Sequence, residues 1–218
     1  MNTKVFRDIS YGMYVVTTKK DKNVGCFINT LIQITSENPT IAISLNKDNY
    51  TNKVLKETNK FAVSILKEQA KDKIISTFGY FSSIDKDKFA EIEYTEIENI
   101  PVVTEDMCSY LICEIVNIVD CGTHDLFIAK VVTTEKINDE SPMTYKYYHE
   151  VLKGKSPKKA PTYVDEEQKI SKNSNKYQCS ICGYIYDDSK EEIKFENLPD
   201  NWKCPRCGVG KDMFLKID

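Results

Sequence analysis

Apolar residues recur along the first 150 positions in short runs rich in β-branched and aromatic side chains. These are Tyr11–Thr18 (YGMYVVTT), Val24–Asn29, Thr40–Leu45 (TIAISL), Phe61–Leu66, Ser109–Val119 and Leu126–Thr134 (LFIAKVVTT). Such side chains fit a pleated, half-buried surface, so each run is expected to form a strand. Helical stretches interrupt them at Thr51–Thr58 and at Glu68–Phe78, the latter with apolar residues at Ile74, Ile75 and Phe78. A third helix is expected around Thr144–Leu152. The regular strand–helix alternation of a doubly wound sheet is absent, and so is any G-x-G-x-x-G or Walker loop. The expected class is therefore mostly β: an antiparallel barrel with a few helices.

After Glu150 the pattern fades. The stretch EVLKGKSPKKAPTYVDEEQKISKNSNK has two Pro, one Gly, many charges and little apolar periodicity, which reads as a linker. The expected organisation is a large domain over 1–155, a linker over 156–175 and a small domain over 176–218. Residues 1–150 hold 17 basic and 22 acidic side chains, against six and three in 151–175. The whole chain of 218 residues has a net charge of −3, which argues against a generally basic nucleic-acid binder. No apolar run approaches the roughly 20 residues of a membrane span. The start, MNTKVFRDISYGMYVVTTKK, lacks the apolar core of a secretory leader, so a cytoplasmic location is expected.

In a reducing compartment the eight Cys are not expected to form disulfides. They fall into two groups. Cys26, Cys108, Cys113 and Cys121 lack paired spacing and read as core thiols, with Cys26 the one to watch. Cys179/Cys182 and Cys204/Cys207 are two C-x-x-C pairs, each followed directly by Gly. A tetrahedral thiolate site needs four converging sulfurs, and two such turns supply them. A segment this short also needs a metal or a similar staple to fold. Zinc and iron share the geometry, so spacing alone does not choose between them.

The neighbouring residues carry a resemblance. KYQCSICGYIYDDS and FENLPDNWKCPRCGVGKDMF are similar to rubredoxin over Lys176–Phe214, with Tyr177, Tyr184, Tyr186, Phe195, Trp202 and Phe214 at that family's aromatic positions. The resemblance implies one redox-active iron held by Cys179, Cys182, Cys204 and Cys207, with zinc as a possible substitute. The loop between Cys182 and Cys204, 21 residues long, is shorter than usual for that family.

FRDISYGMYVVTT, NVGCFINTLIQITSENPTIAISLNKDNYT, CGTHDLFIAKV and MTYKYYHEVLKGKSPKKAPTY resemble the flavin reductase family, whose fold is an FMN-binding split β-barrel. The resemblance implies that Gly25, Asn29, Thr30 and Gln33 approach the flavin ring and ribityl chain. It likewise implies that Ser44, Asn46, Tyr50 and Thr51, at a strand end leading into a helix, surround the phosphate. FGYFSSIDKDKF is similar to the family's F-G-x-x-S-G-R-D-x-D-K-F. Ser82 and Lys88 match as phosphate contacts, while Ser83 stands for Gly and Ile84 for Arg. His124, in GTHDLF, falls where the family places a His beside flavin and nicotinamide, and is the expected catalytic residue. His149 is expected to be structural or at a dimer seam, and Tyr163 lies near the family's C-terminal aromatic.

The two modules in this order resemble the high-molecular-weight rubredoxins of anaerobes. That resemblance implies an oxidoreductase that takes electrons from NADH or NADPH, through FMN, to an Fe(Cys)4 centre. It further implies a homodimer, and a flavodiiron protein that reduces O2 or NO as acceptor, serving oxidative-stress defence. Two alternatives stand beside it: a flavin or ferric reductase that releases its product, and a non-enzymatic zinc-ribbon module. A flexible linker of about 20 residues spans roughly 25 Å, enough for the small module to reach its own flavin site, a dimer partner or an external acceptor.

Overall fold

The computed structural model describes residues 3–152, 154, 160, 161, 175–180 and 182–217. Most of the stretch 156–175, expected as a linker, lies outside them, as does Tyr163.

The N-terminal part is built on a seven-stranded antiparallel sheet. Its strands are β1 (Tyr14–Lys19), β2 (Asn23–Ile28), β3 (Leu31–Thr35), β4 (Thr40–Asn46), β5 (Lys60–Leu66), β8 (Met107–Asp120) and β9 (His124–Lys136), in the order β2-β1-β5-β8-β9-β4-β3. In a flat sheet β2 and β4, five strand steps apart, would stand about 24 Å from each other. Instead Cys26 and Ile28 of β2 share one buried cluster with Ile41, Ile43 and Leu45 of β4, around Phe61, Val63 and Phe127. The sheet therefore curls about its own core, as a barrel-like element must. A second cluster on the outer side packs Ile74, Ile75 and Phe78 of helix α2 (Asp72–Tyr80) against Met13, Val15, Leu66 and Met107.

All six expected strands form, with ends shifted by at most three residues. Helix α1 (Tyr50–Thr58) starts one residue before its expected bound, because Asn49 is its cap: the Asn49 side chain accepts from Thr51 N. Helix α2 starts four residues late, since Ala70 N closes a turn onto Lys67 O and Lys71 N is taken by Asp106. Helix α3 (Tyr145–Glu150) is capped by Thr144. Three strands of this part lie beyond the expected set: edge strand β3, and β6 (Tyr94–Ile97) with β7 (Ile100–Val103), which pair as a hairpin. Glu98 and Asn99 turn that hairpin at φ 49° and 64°, both left-handed, as a two-residue hairpin requires.

The small module carries a three-stranded sheet, β11 (Ile185–Asp187), β10 (Lys176–Cys179) and β12 (Phe214–Ile217) in that order. Tyr177 stacks on Phe195 at 4.2 Å, and Phe195, Trp202 and Phe214 pack at centroid distances of 5.0–5.8 Å. Five aromatic or aliphatic side chains and four cysteines make up its buried core. Among the described residues no helix is long and apolar enough to cross a membrane.

Candidate functional site

The four C-terminal cysteines converge. Their sulfurs all lie within 4.8 Å of one another, and Cys179–Cys207 and Cys182–Cys204 stand 3.6 Å apart. Sulfurs bound at about 2.3 Å around a tetrahedral ion stand about 3.8 Å from each other, so the spacing fits one metal. Gly183 and Gly208 follow the two pairs at φ 78° and 76°, a conformation that glycine adopts without strain. Backbone amides of Cys182, Tyr184, Cys207 and Val209 hydrogen-bond the four sulfurs in turn and favour their thiolate forms. The two knuckles are thus built alike, and all four sulfurs are buried.

A cavity of about 430 Å³ opens beside the large sheet, within the range of small-molecule and cofactor sites. Met13, Phe27, Ile28 and Ile75 give it an apolar wall, and Tyr80, Tyr145 and Tyr148 an aromatic one. Polar groups come from one end of the sheet and the start of α1: Asn29, Ser44, Asn46, Asn49, Tyr50 and His124. Strand register explains their convergence, because Ser44 faces Leu126 and Asn46 faces His124 across the β4–β9 pair. Behind that pair Asn52 bonds Leu45 O and Asp125, fixing α1 to both strands. Burial alone would raise the Asp125 carboxyl, but hydrogen bonds from Lys56 and Asn52 hold it below the usual carboxylate range. His124 Nδ1 pairs with Thr123 Oγ at 2.9 Å, whereas its Nε2 is buried in the cavity wall without a partner among the described residues. An orphaned imidazole nitrogen in a largely apolar cavity asks for a ligand that can hydrogen-bond it. A flavin, with an apolar ring system edged by polar atoms, meets that requirement.

Of the residues singled out in the sequence, Asn29, Ser44, Asn46, Tyr50, Ser82 and His124 line this cavity. Gly25, Thr30, Gln33, Thr51 and Lys88 are outside its lining. Thr30 bonds Asn29 Oδ1, Gln33 sits exposed on edge strand β3, and Thr51 is buried in α1. Lys88 is 3% exposed and donates to Gly25 O at 2.8 Å and Phe78 O at 3.2 Å. Ser83 also takes Gly25, accepting from its N–H and donating to its carbonyl. This Gly25–Ser83–Lys88 knot pins the loop after α2 to strand β2. A Cβ on Gly25 would approach Phe78, Thr17 and the Val16 carbonyl within 3.0 Å, so the close packing requires glycine. His149 stacks on Tyr145 and pairs with Gly154 O, away from the cavity lining. Tyr80, Phe81, Tyr145 and Tyr148 were not anticipated, although Tyr80 and Phe81 fall inside the FGYFSSIDKDKF stretch.

Burial lowers the Lys88 ammonium to about 8, with Cys26 nearby opposing the shift. Unfolded lysine titrates near about 10.4. Between those values the unfolded chain binds more protons, so stability rises with pH through that window. The stability advantage of the parent chain over Lys88→Met should therefore grow from about pH 8 to about pH 10.4, by up to about 3 kcal/mol. Urea unfolding across that range checks it; a constant difference would show that Lys88 stays charged among its carbonyls.

The two sites share a wall. Tyr80 lines the cavity and also packs against the core that holds the four cysteines. Its hydroxyl lies 2.8 Å from that of Tyr148, and burial with this neighbour holds the Tyr80 phenol far above the usual range. Phe81, the next cavity residue, stands 3.8 Å from where a Cβ on Gly208 would lie, directly after Cys207. A metal held by the cysteines would sit one aromatic layer from the cavity.

Comparison with known proteins agrees with this geometry. The flavin reductase like domain matches residues 6–154 and rubredoxin matches residues 176–214. The chain is 40% identical to the high molecular weight rubredoxin of Moorella thermoacetica, over the full length of both. It is 36% identical to the ferric-chelate reductase (NAD(P)H) of Archaeoglobus fulgidus, over 77% of this chain and all of that one. Among solved structures, the NADH:FAD oxidoreductase of Streptomyces globisporus C-1027, in complex with NAD and FAD fragments, superposes with a TM-score of 0.58 at 25% identity. That match covers 64% of this chain and 83% of the other. The chain belongs to the flavin reductase like family, as an oxidoreductase that carries a rubredoxin domain with a four-cysteine metal site at its C-terminal end.

Proposed function

We propose that the chain carries electrons from a nicotinamide nucleotide, through FMN in the cavity, to iron in the four-cysteine site, and from there to a protein acceptor. A flavin supplies the exchange of an electron pair for single electrons, and a thiolate-bound iron carries one electron at a time. The observation that carries the reading is the shared wall: Tyr80 lines the cavity and packs against the core of the metal module. Iron is preferred over zinc because the aromatic cluster around the sulfurs excludes water and tunes a potential, which a structural ion does not need.

The chain's own groups have separable tasks. His124 offers Nε2 to the flavin edge or to the nicotinamide, with Thr123 setting its tautomer. Ser44, Asn46 and Tyr50 surround the start of α1, whose amides and dipole favour a phosphate, and Ser82 faces the same cavity. Tyr80, Tyr145 and Tyr148 exclude water from the side that faces the metal. The relatives' names include NAD(P)H and NADH, consistent with a nicotinamide donor. The resemblance to high-molecular-weight rubredoxins points to a flavodiiron protein as acceptor, in the cytoplasm of an anaerobe. A homodimer would cover Val116, Ile118, Val119 and Val132 of the β8–β9 hairpin and Ile32 and Ile34 of β3, all exposed here.

The ferric-chelate reductase relative makes a free ferric chelate the rival acceptor. Anaerobic purification from the native host, followed by an absorption spectrum and metal analysis, tests the reading. One FMN and one iron per chain is the expected result. A protein carrying zinc alone and no flavin overturns it.

A further inference from the structure

We infer that Arg206 latches the metal module onto the flavin domain, and so acts as a positioning residue for electron transfer between the two sites. Arg206 lies inside the second cysteine pair, Cys204-Pro205-Arg206-Cys207. Its side chain reaches Asp72 of the flavin domain and is only 19% exposed. Nε donates to Asp72 Oδ2 at 2.9 Å, one terminal nitrogen to Leu152 O at 3.0 Å and the other to Cys182 O at 3.2 Å. One guanidinium thus joins both metal knuckles to two segments of the flavin domain, the start of α2 and the chain just after α3. A planar fork with fixed donors is suited to this task, and an ammonium could not satisfy the three acceptors in the same geometry.

The latch sits at one end of a continuous seam. Asp72 opens α2 and Tyr80 closes it, so the helix that receives Arg206 also presents the aromatic wall between cavity and cysteines. Tyr148 lies on α3, one turn before the carbonyl of Leu152 that Arg206 takes. With the latch closed, the Gly208 turn rests against Phe81 and the Tyr80–Tyr148 pair is covered. A tether alone would bring the module back at a millimolar effective concentration, in every orientation. The latch selects the orientation in which the cysteine knuckles face the cavity wall.

This inference deepens the proposed electron route, which it assumes only in its kinetic arm. There, one electron leaves the NADH-reduced flavin and converts ferric to ferrous iron, with no bond made or broken. The test uses the full-length, metal- and flavin-loaded protein. Asp72→Arg places two cations face to face without touching a sulfur ligand or a cavity residue. Amide exchange of residues 79–81 and 204–208 is expected to quicken by roughly tenfold or more, the loss of about 1.4 kcal/mol of docking. The double variant Asp72→Arg with Arg206→Asp should restore part of the protection, because the swapped pair recovers the ion pair but not the donations to Leu152 O and Cys182 O. In the parent chain, raising salt from about 0.01 M to about 1 M, which shortens the Debye length from about 30 to about 3 Å, should move exchange the same way. Anaerobic mixing with NADH should show flavin reduction unchanged and iron reduction slowed by roughly tenfold in Asp72→Arg. Unchanged exchange in Asp72→Arg and at high salt would overturn the latch. Iron that stays oxidised in the parent chain would instead sink the proposed route, while the exchange data still judge the latch.

Discussion

Removing the metal should unfold the small module and leave the seven-stranded sheet standing. Four of the nine buried residues that form the small module's core are the cysteines themselves. Cores this small rarely supply more than about 3–5 kcal/mol, whereas a structural metal in a small thiolate or imidazole site contributes about 10–16 kcal/mol in favourable cases. Without the ion, four sulfurs as close as 3.6 Å would be left as buried thiols or repelling thiolates, and the knuckle amides would lose their anionic partners. Chelation under reducing conditions, or Cys204→Ser, is expected to abolish amide protection in β10–β12. The large sheet should keep its own, because its three clusters contain no ligand cysteine. Hydrogen exchange read segment by segment checks both halves. Persisting protection in β10–β12 of the metal-free protein would show that the aromatic stack suffices to fold the module.

Filling the cavity through Gly79 should abolish flavin binding while sparing the fold. Gly79 lies in the last turn of α2 and lines the cavity. A Cβ there would stand 3.7 Å from Phe27 Cβ, an ordinary contact. Gly79→Ala is therefore expected to be accepted, with a gain of about 0.5–1 kcal/mol from helix propensity. Gly79→Leu carries three further carbons past that contact, toward the space bounded by Phe27, Tyr80 and Ile75. It should weaken FMN binding on the order of 100-fold, about 2.7 kcal/mol, with the melting profile close to that of the Ala variant. Fluorescence titration of the flavin-free protein with FMN decides. Equal affinity in the Leu variant would move the flavin out of this cavity.

The sequence was most informative where chemistry is local. Two C-x-x-C turns with following glycines define a metal site by themselves, and the sulfurs converge as that pattern requires. The strands of the curled sheet were legible because each alternates or packs on both sides. Edge strand β3 was not: its burial pattern is exposed at four of five positions, so no buried face marks it. The β6–β7 hairpin was hidden by its turn, Glu98-Asn99 rather than a glycine-bearing pair, and by Pro101 within β7. Helix α2 was placed too early because its true start depends on Asp106, 35 residues downstream.

For the cavity, His124 and Asn46 came from family resemblance, but their pairing across β4 and β9 is a matter of register that spacing along the chain does not reveal. Lys88 illustrates the opposite case. Its motif suggests a free cation, while the fold surrounds it with carbonyls of Gly25 and Phe78. Tyr80, Tyr148 and Arg206 were invisible for a simpler reason. Their roles arise from contacts between residues 54 to 134 positions apart along the chain, those of Arg206 across the two modules.

The electron route stands or falls on one experiment: anaerobic rapid mixing of the full chain, loaded with FMN and iron, with NADH, while both chromophores are followed. The route requires flavin reduction followed by bleaching of the ferric thiolate band at a rate independent of protein concentration. Iron that stays oxidised through many flavin turnovers would contradict it.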